Sequence, residues 1–572
     1  MKNTRYMGII LGITIFITSI VCCKKELLSE PQANKQGVTI IDTTKKTLVV
    51  TAKDTSKTTT PIVVTKDTNK TTVPVAINQT LSADFLKTFT SAAGDNDYFK
   101  ITTNTSWKIA SFPVWVTVSP LTGTGNGKIT VTVQANTGIQ RNGLIKISGT
   151  GVSQAASVNT IQVAGIAVVV QPPSTQANYY IAVNGSDNNA GTIDKPFASL
   201  NGAWKVVKPG NLIYMRGGTY SLTTQQVLTG KSGTAGNLIK IWAYPGETPI
   251  ITKGSGFSAT SGIYISNSNY LHIKGLEITG FNQPTSGGNV GGLYIEPSNY
   301  STFELLNYHH NGFPLTATHA STGNLFLNCD FHHNYDPYTS GDKYGNADGV
   351  NCEFDAGTSN VFRGCRSWWN SDDGFDFYRC DGYVEFDNCW AWHNGYKEDG
   401  VTTGGNGTGF KLGITRADFH TQVLRYVHNC LAWDGRQGGF YQADGNCIMR
   451  IYNNTSYKNT GDTYTCGFGF KDFAGIPHTI KNNIALDEMV AYWGESAITS
   501  DHNSWDNGIG VSDNDFISLD QTGTNGARQA DGSLPNINFL KLKTTSKLYQ
   551  KGVDVKLPFS GNAPSLGANR NY

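Results

Sequence analysis

From about residue 300 the chain keeps returning to one short phrase, a few β-forming residues closed by an asparagine. CDFHHN (329–334), CRSWWN (365–370), CWAWHN (389–394) and NTSYKN (454–459) are four instances. Asn311 and Asn334 are 23 residues apart and Asn370 and Asn394 are 24 apart, while wider gaps read as one such unit carrying a loop insertion. A period in the twenties without helical patterning indicates stacked β-coils, each burying its inward residues only against its neighbours. A solenoid of parallel strands is therefore expected. Leucine-rich repeats share the period, but their L-x-x-L-x-L pattern is absent.

A second register fixes which side chains face out. DGVNC (348–352), DGFDF (373–377), TGFKL (408–412) and GGFYQ (438–442) align glycine in one column and Val350, Phe375, Phe410 and Phe440 in the next. Alternation along a strand sends that apolar column inward. Asn351, Asp376, Lys411 and Tyr441 then form an outward column. Adjacent parallel strands lie about 4.8 Å apart, so Asp376 and Lys411 are expected to be neighbours across 35 residues of sequence.

Carboxylates crowd this column. Asp348 precedes Asp372 by 24 residues, one period, so the NADG and NSDDG turns should lie one above the other. Asp348, Asp372 and Asp373 then meet at the turns, with Asp376 outward beside them. Such a group repels itself unless a cation intervenes. Oxygen-only ligands, without imidazole or thiolate, favour Ca²⁺ over Zn²⁺. No EF-hand loop is present, and the bland alternative is an acidic turn whose side chains cap backbone NH groups. Lys411 stands next to this group. A lysine is mostly protonated at neutral pH. A nearby cation and partial desolvation would disfavour its charge, whereas Asp376 favours it unless calcium absorbs that carboxylate. The outcome expected is a base that works better in alkaline solution.

Taken together, NADGVN, GCRSWWNSDDGFDFY and GNGTGFKLG resemble polysaccharide lyase family 9, the calcium-dependent pectate lyases, over about residues 178–570. The resemblance implies a right-handed parallel β-helix, Ca²⁺ on Asp348, Asp372, Asp373 and Asp376, and Lys411 as the Brønsted base of a β-elimination that leaves a 4,5-unsaturated product. Ile414 departs from the family, where a second glycine often follows KLG. The substrate implied is an acidic plant cell-wall polysaccharide, polygalacturonate cut endo-wise, with rhamnogalacturonan as the alternative. Arg416, Arg436 and Tyr441 are the candidate substrate contacts from the column scheme. A β-helix glycoside hydrolase would need neither lysine nor calcium, and a noncatalytic glycan-binding adhesin would have no reason to set a lysine beside four aspartates.

The rest of the chain is read from composition. Its 572 residues exceed one core, and the all-β expectation follows from 64 glycines and 15% charged residues. A net charge of +2 without a basic stripe gives no reason to propose nucleic acid. Lys2 and Arg5 followed by an apolar run over residues 8–21 read as an export signal. The CC that follows resembles a lipoprotein processing site, with Cys22 or Cys23 lipidated, so an outer-membrane or cell-surface lipoprotein is expected, otherwise a periplasmic or secreted protein. The expected division is 1–22 signal, 23–75 Thr-rich linker, 76–167 β-sandwich and 178–572 β-helix, the whole a monomer. Within 76–167, Trp107, Trp115, SPLTGTGNG and NTGIQRNGLIKISG resemble the BACON module, an immunoglobulin-like sandwich, in which both tryptophans read as core rather than as sugar platforms. Cys329, Cys365, Cys389 and Cys430 each precede the terminal Asn, or its equivalent, by five residues and should stack as a buried ladder. A disulfide is left open, with Cys352 and Cys380 as one pairing.

Overall fold

The computed structural model describes residues 40–41, 49–50, 79–83, 86–89, 94–136, 141–153, 155–162, 176–397, 399–414, 423–443, 447–460, 465–471, 478–493 and 498–568. The export signal with Cys22 and Cys23, and the Thr-rich stretch apart from those two residue pairs, lie outside the described residues. Among the described residues no helix is long and apolar enough to cross a membrane. Contacts divide the chain into Met1–Val169 and Val170–Tyr572.

In the first unit, two sheets of five and four strands share one core. Strands such as Asn96–Thr103 and Gly127–Val133 pair antiparallel and alternate buried with exposed residues, the pattern of a sheet wet on one face. Trp107 and Trp115 are 5% and 8% exposed and belong to that core. The Trp107 indole donates to the Gly125 carbonyl at 2.9 Å, which satisfies its one polar atom.

The second unit is a parallel β-helix of three sheets, with twelve, ten and ten strands among the described residues. Ten coils contribute one strand to each sheet, Tyr179–Ile181 and Ile498–Asp501 extend the first sheet alone, and the strands of successive coils pair parallel. The inward column pairs as the sequence indicates, Val350 with Phe375, Phe375 with Phe410 and Phe410 with Phe440. Rings of Phe375, Phe410, Phe440 and Phe468 follow one another at 5.0, 4.9 and 5.0 Å, and removing one such ring costs about 3–5 kcal/mol.

The terminal asparagines run along the corner that leads into the third sheet. Asn370 Oδ1 accepts from the Asn334 amide NH and Nδ2, and Asn394 Oδ1 does the same for Asn370, all at 3.0–3.3 Å. Asn370 Nδ2 also donates inward to the Phe331 carbonyl at 3.3 Å. Only an amide side chain supplies both an acceptor for the previous coil and donors for the interior, so each coil is hydrogen-bonded through a buried corner that water does not reach. The row ends at Glu488, whose Oε1 takes the backbone NH and Nδ2 of Asn459 at 2.6 and 2.7 Å. The aligned glycines belong to this corner. A Cβ on Gly374 would come within 2.6 Å of the Gly409 carbonyl and 2.8 Å of Asn394 Nδ2.

Cys329, Cys365, Cys389 and Cys430 are fully buried, three of them with Sγ against the carbonyls of Phe303, Phe326 and Phe362. The pairing of Cys352 with Cys380 is not formed: both are buried as free thiols. A short helix, Leu200–Val206, was not expected from the repeat. Ser199 caps it by accepting from the Gly202 NH, and Leu200, Ala203 and Trp204 are pressed onto the core. After Asp501 the described chain forms no further strand; Phe516, Phe539, Leu548 and Leu566 instead cover Trp368, Trp392, Trp433 and Tyr457 on the second sheet.

Candidate active site

The outward column of the third sheet runs Thr316, Asn351, Asp376, Lys411, Tyr441 over five consecutive coils. Asp376 and Lys411 are direct partners. The turn before each strand supplies the remaining carboxylates, and there the register differs from the expected one. Val350 lies opposite Phe375, so the counterpart of Asp348 one coil on is Asp373, not Asp372. The two are joined by a hydrogen bond from the Asp373 NH to Asp348 Oδ1 at 3.0 Å. The coil here is 25 residues long, one more than the spacing of the terminal asparagines.

One oxygen each of Asp348, Asp373 and Asp376 lies within 4.8 Å of the others. Asp372 is buried beside them, but its Oδ1 is taken by the Asn406 backbone NH at 2.6 Å, and it stands outside the converged three. Asp373 Oδ1 accepts from the Thr408 NH at 2.6 Å. Lys411 Nζ reaches both Asp373 Oδ2 at 2.8 Å and Asp376 Oδ2 at 3.1 Å. Asp376 lies beside Lys411 as expected, and Asp373, at the corner, reaches the lysine as well.

All four aspartates are at most 6% exposed. Burial, and then the neighbouring carboxylates, push Asp348 and Asp372 well above the usual carboxylate range. Burial acts against the Lys411 ammonium, but Asp373, Asp376, Asp372 and Asp348 together outweigh it and hold the lysine well above its ordinary value. As it stands, Lys411 is an acid paired with two carboxylates. Engaging those carboxylates elsewhere would remove what stabilises its charge.

Oxygens sharing one calcium ion lie at most about 5 Å apart, since each sits about 2.3–2.6 Å from it. The Asp348, Asp373 and Asp376 oxygens meet that limit, and their donor chemistry, carboxylate only, suits a hard cation. The residues present therefore fit Ca²⁺.

Three residues around this group escaped the sequence reading. Thr408 and Asn406 act through backbone NH groups, which leave no residue-type signature. Arg425 comes from the first sheet, is fully buried, and sends its guanidinium to the carbonyls of Leu412, Gly382 and Cys380. It thereby holds the backbone one residue from Lys411, at the irregular pairing where the strands Phe375–Tyr378 and Phe410–Ile414 change register. Its position at an inward place of the alternating VLRYVH was the available signal. Of the candidate substrate contacts, Arg416 lies outside the described residues. Tyr441 stands one coil beyond Lys411, its ring edge-on to Trp493 at 6.0 Å. Arg436 Nη1 donates to the Gly405 carbonyl and so props the loop that carries Asn406.

Known proteins align with this geometry. The family described as Pel9A-like, right handed beta helix region, matches residues 179–483, and the BACON binding domain matches residues 105–164. Pectate lyase L of Dickeya dadantii (strain 3937) is 34% identical over 408 residues, 69% of this chain and 91% of the relative. The crystal structure of pectate lyase Pel9A superposes with a TM-score of 0.58 at 32% identity, covering 68% of this chain and 95% of that one. A solved rhamnogalacturonan lyase gives 0.54 at 31%, covering 64% and 96%. The chain belongs to polysaccharide lyase family 9, the Pel9A-like right-handed β-helix lyases, and carries a BACON module.

Proposed function

We propose that the protein is a calcium-dependent pectate lyase that cleaves polygalacturonate by β-elimination with Lys411 as base. The observation that carries this reading is Lys411 Nζ at 2.8 and 3.1 Å from two carboxylates of a converged group, in a chain 34% identical to a pectate lyase. Asp348, Asp373 and Asp376 would hold Ca²⁺, with Asp372 beside them. A bound calcium ion supplies positive charge that attracts a uronate carboxylate and withdraws electron density from the sugar ring. Freed from its two ion pairs, Lys411 takes the proton at C5. The C5–H electron pair becomes the C4=C5 double bond as the C4–O4 bond breaks, O4 leaves with the departing chain and takes a proton from solvent, and a 4,5-unsaturated non-reducing end remains with no net consumption of water. Arg425 positions the strand that carries the base, while Tyr441, Arg436 and Arg416 are candidate contacts for the flanking sugars. The apolar run and Cys22 or Cys23 support export as a surface lipoprotein.

The likeness to a rhamnogalacturonan lyase supports a second substrate, whose galacturonate units admit the same chemistry. Ultraviolet absorbance of unsaturated product, followed on polygalacturonate and on rhamnogalacturonan with and without chelator, separates the readings. Absorbance should rise on polygalacturonate and stop when calcium is removed. An undiminished rate in excess chelator would sink the calcium role, and saturated products would sink the lyase.

A further inference from the structure

The phrase HHN occurs on two consecutive coils, at 309–311 and 332–334, and the lyase chemistry uses neither histidine pair. On the second sheet His309 is the direct partner of His332, and the rings stack at 4.7 Å and 4°. His310 and His333 follow at corners with φ of 52° and 54° and stack on each other at 5.1 Å and 6°. Within each pair the two Nδ1 atoms face one another at 2.7 Å. One nitrogen each of His309, His310 and His332 lies within 4.8 Å of the others.

The outer nitrogens show which way the inner ones are set. His332 Nε2 lies 3.0 Å from Asn307 Oδ1, and His309 Nε2 lies 3.3 Å from Glu277 Oε1. An oxygen of that kind only accepts, so Nε2 of His309 and of His332 carries the proton and their Nδ1 atoms present lone pairs, which accept from the Nδ1–H of His310 and His333 in the 2.7 Å hydrogen bonds; a metal would displace those two protons. His309 Nδ1 also has the Thr279 hydroxyl at 3.1 Å. A carboxylate or carbonyl oxygen behind an imidazole is the arrangement that orients histidine ligands toward a metal. His332 stacks on Trp368 at 4.2 Å, and Arg528 from the C-terminal cover pairs with Asp330 on the strand of His332. His310 remains exposed.

We propose that His309, His310 and His332, with His333 stacked on His310 beside them, bind one late first-row divalent ion, Zn²⁺ or Cu²⁺, at a site separate from the carboxylates and on a different sheet. Imidazole-only donors favour such ions and discriminate against Ca²⁺. The ion would tie two consecutive coils together.

The test is a Zn²⁺ titration of tag-free, full-length protein, saturated with calcium, against a chromophoric competing chelator. One equivalent should be withdrawn from the chelator. The double variant His310→Asn/His333→Asn preserves the corners, since asparagine occupies the same backbone region at Asn328 and Asn388. It should weaken uptake by more than about 100-fold, and Glu277→Gln, which leaves all four rings in place, by about tenfold. With zinc added, the unfolding midpoint of the wild type should rise and that of the double variant should not. No withdrawal of zinc by the wild type at micromolar concentration, or equal withdrawal by the wild type and both variants, overturns the proposal.

Discussion

Two outward columns of this β-helix have the same spacing and opposite chemistry. On the second sheet His332, Trp368, Trp392 and Trp433 stack at 4.2, 4.8 and 4.8 Å, and the tryptophans are sealed beneath Phe539 and its neighbours. On the third, Asn351, Asp376, Lys411 and Tyr441 occupy equivalent coils, with three further aspartates at the corner. Rings repeated at this interval gain contact with each neighbour. Carboxylates repeated at it repel, and burial raises the cost. The coil geometry fixes distance alone; the side chains decide whether that distance stabilises the fold or stores unrelieved charge for a ligand to neutralise.

Substitutions can break this contrast. The largest effect is expected at Lys411→Ala, which should lower the lyase rate by about 10²–10⁴-fold while leaving the unfolding midpoint in calcium unchanged, measured by product absorbance and thermal melts. The mirror image is Trp433→Ala, which should cost about 3–5 kcal/mol in denaturant unfolding and leave the rate of the folded enzyme intact. If either variant damaged both properties, the two columns would not be separable.

The comparison sharpens within the carboxylates. Asp376→Asn removes an oxygen from the converged three and a partner of Lys411, so calcium affinity and rate should both fall, by calorimetry and by assay. Asp372→Asn, outside the three, should weaken calcium less.

The smallest effect concerns Glu488, at the end of the asparagine row. Its Oε2 is buried without a hydrogen-bond partner, and burial raises the carboxyl to about 7. A carboxyl raised on folding stabilises below its unfolded value and loses that contribution as pH rises through the folded one. Wild-type stability should therefore fall between about pH 4.5 and 7 relative to Glu488→Gln. The difference should accumulate at no more than about 1.4 kcal/mol per pH unit, as read from paired unfolding curves.

Much of this architecture was legible in the sequence because a coil repeats one alignment. The glycine column and the apolar residue after it place Val350, Phe375, Phe410 and Phe440 correctly, and Asp376 beside Lys411 follows from parity alone. The 24-residue count failed at Asp372 because a turn can gain one residue without disturbing the strands that flank it; the glycine alignment, which sets Asp348 against Asp373, was the better guide. Arg425 was missed because an arginine at an inward position is read as exposed by default, although the backbone carbonyls it satisfies make it a core residue. The helix at Leu200–Val206 was missed because it does not belong to the repeat.

The varying coil length has a wider meaning. Asn351, Asp376, Lys411 and Tyr441 are 25, 35 and 30 residues apart, yet each is the immediate neighbour of the next. A position on this face is thus specified by coil and column, as by row and file on a board, and not by contour length. The ten residues by which the Asp376–Lys411 interval exceeds the one before it are taken up between the strands, and Lys411 still pairs with Asp376.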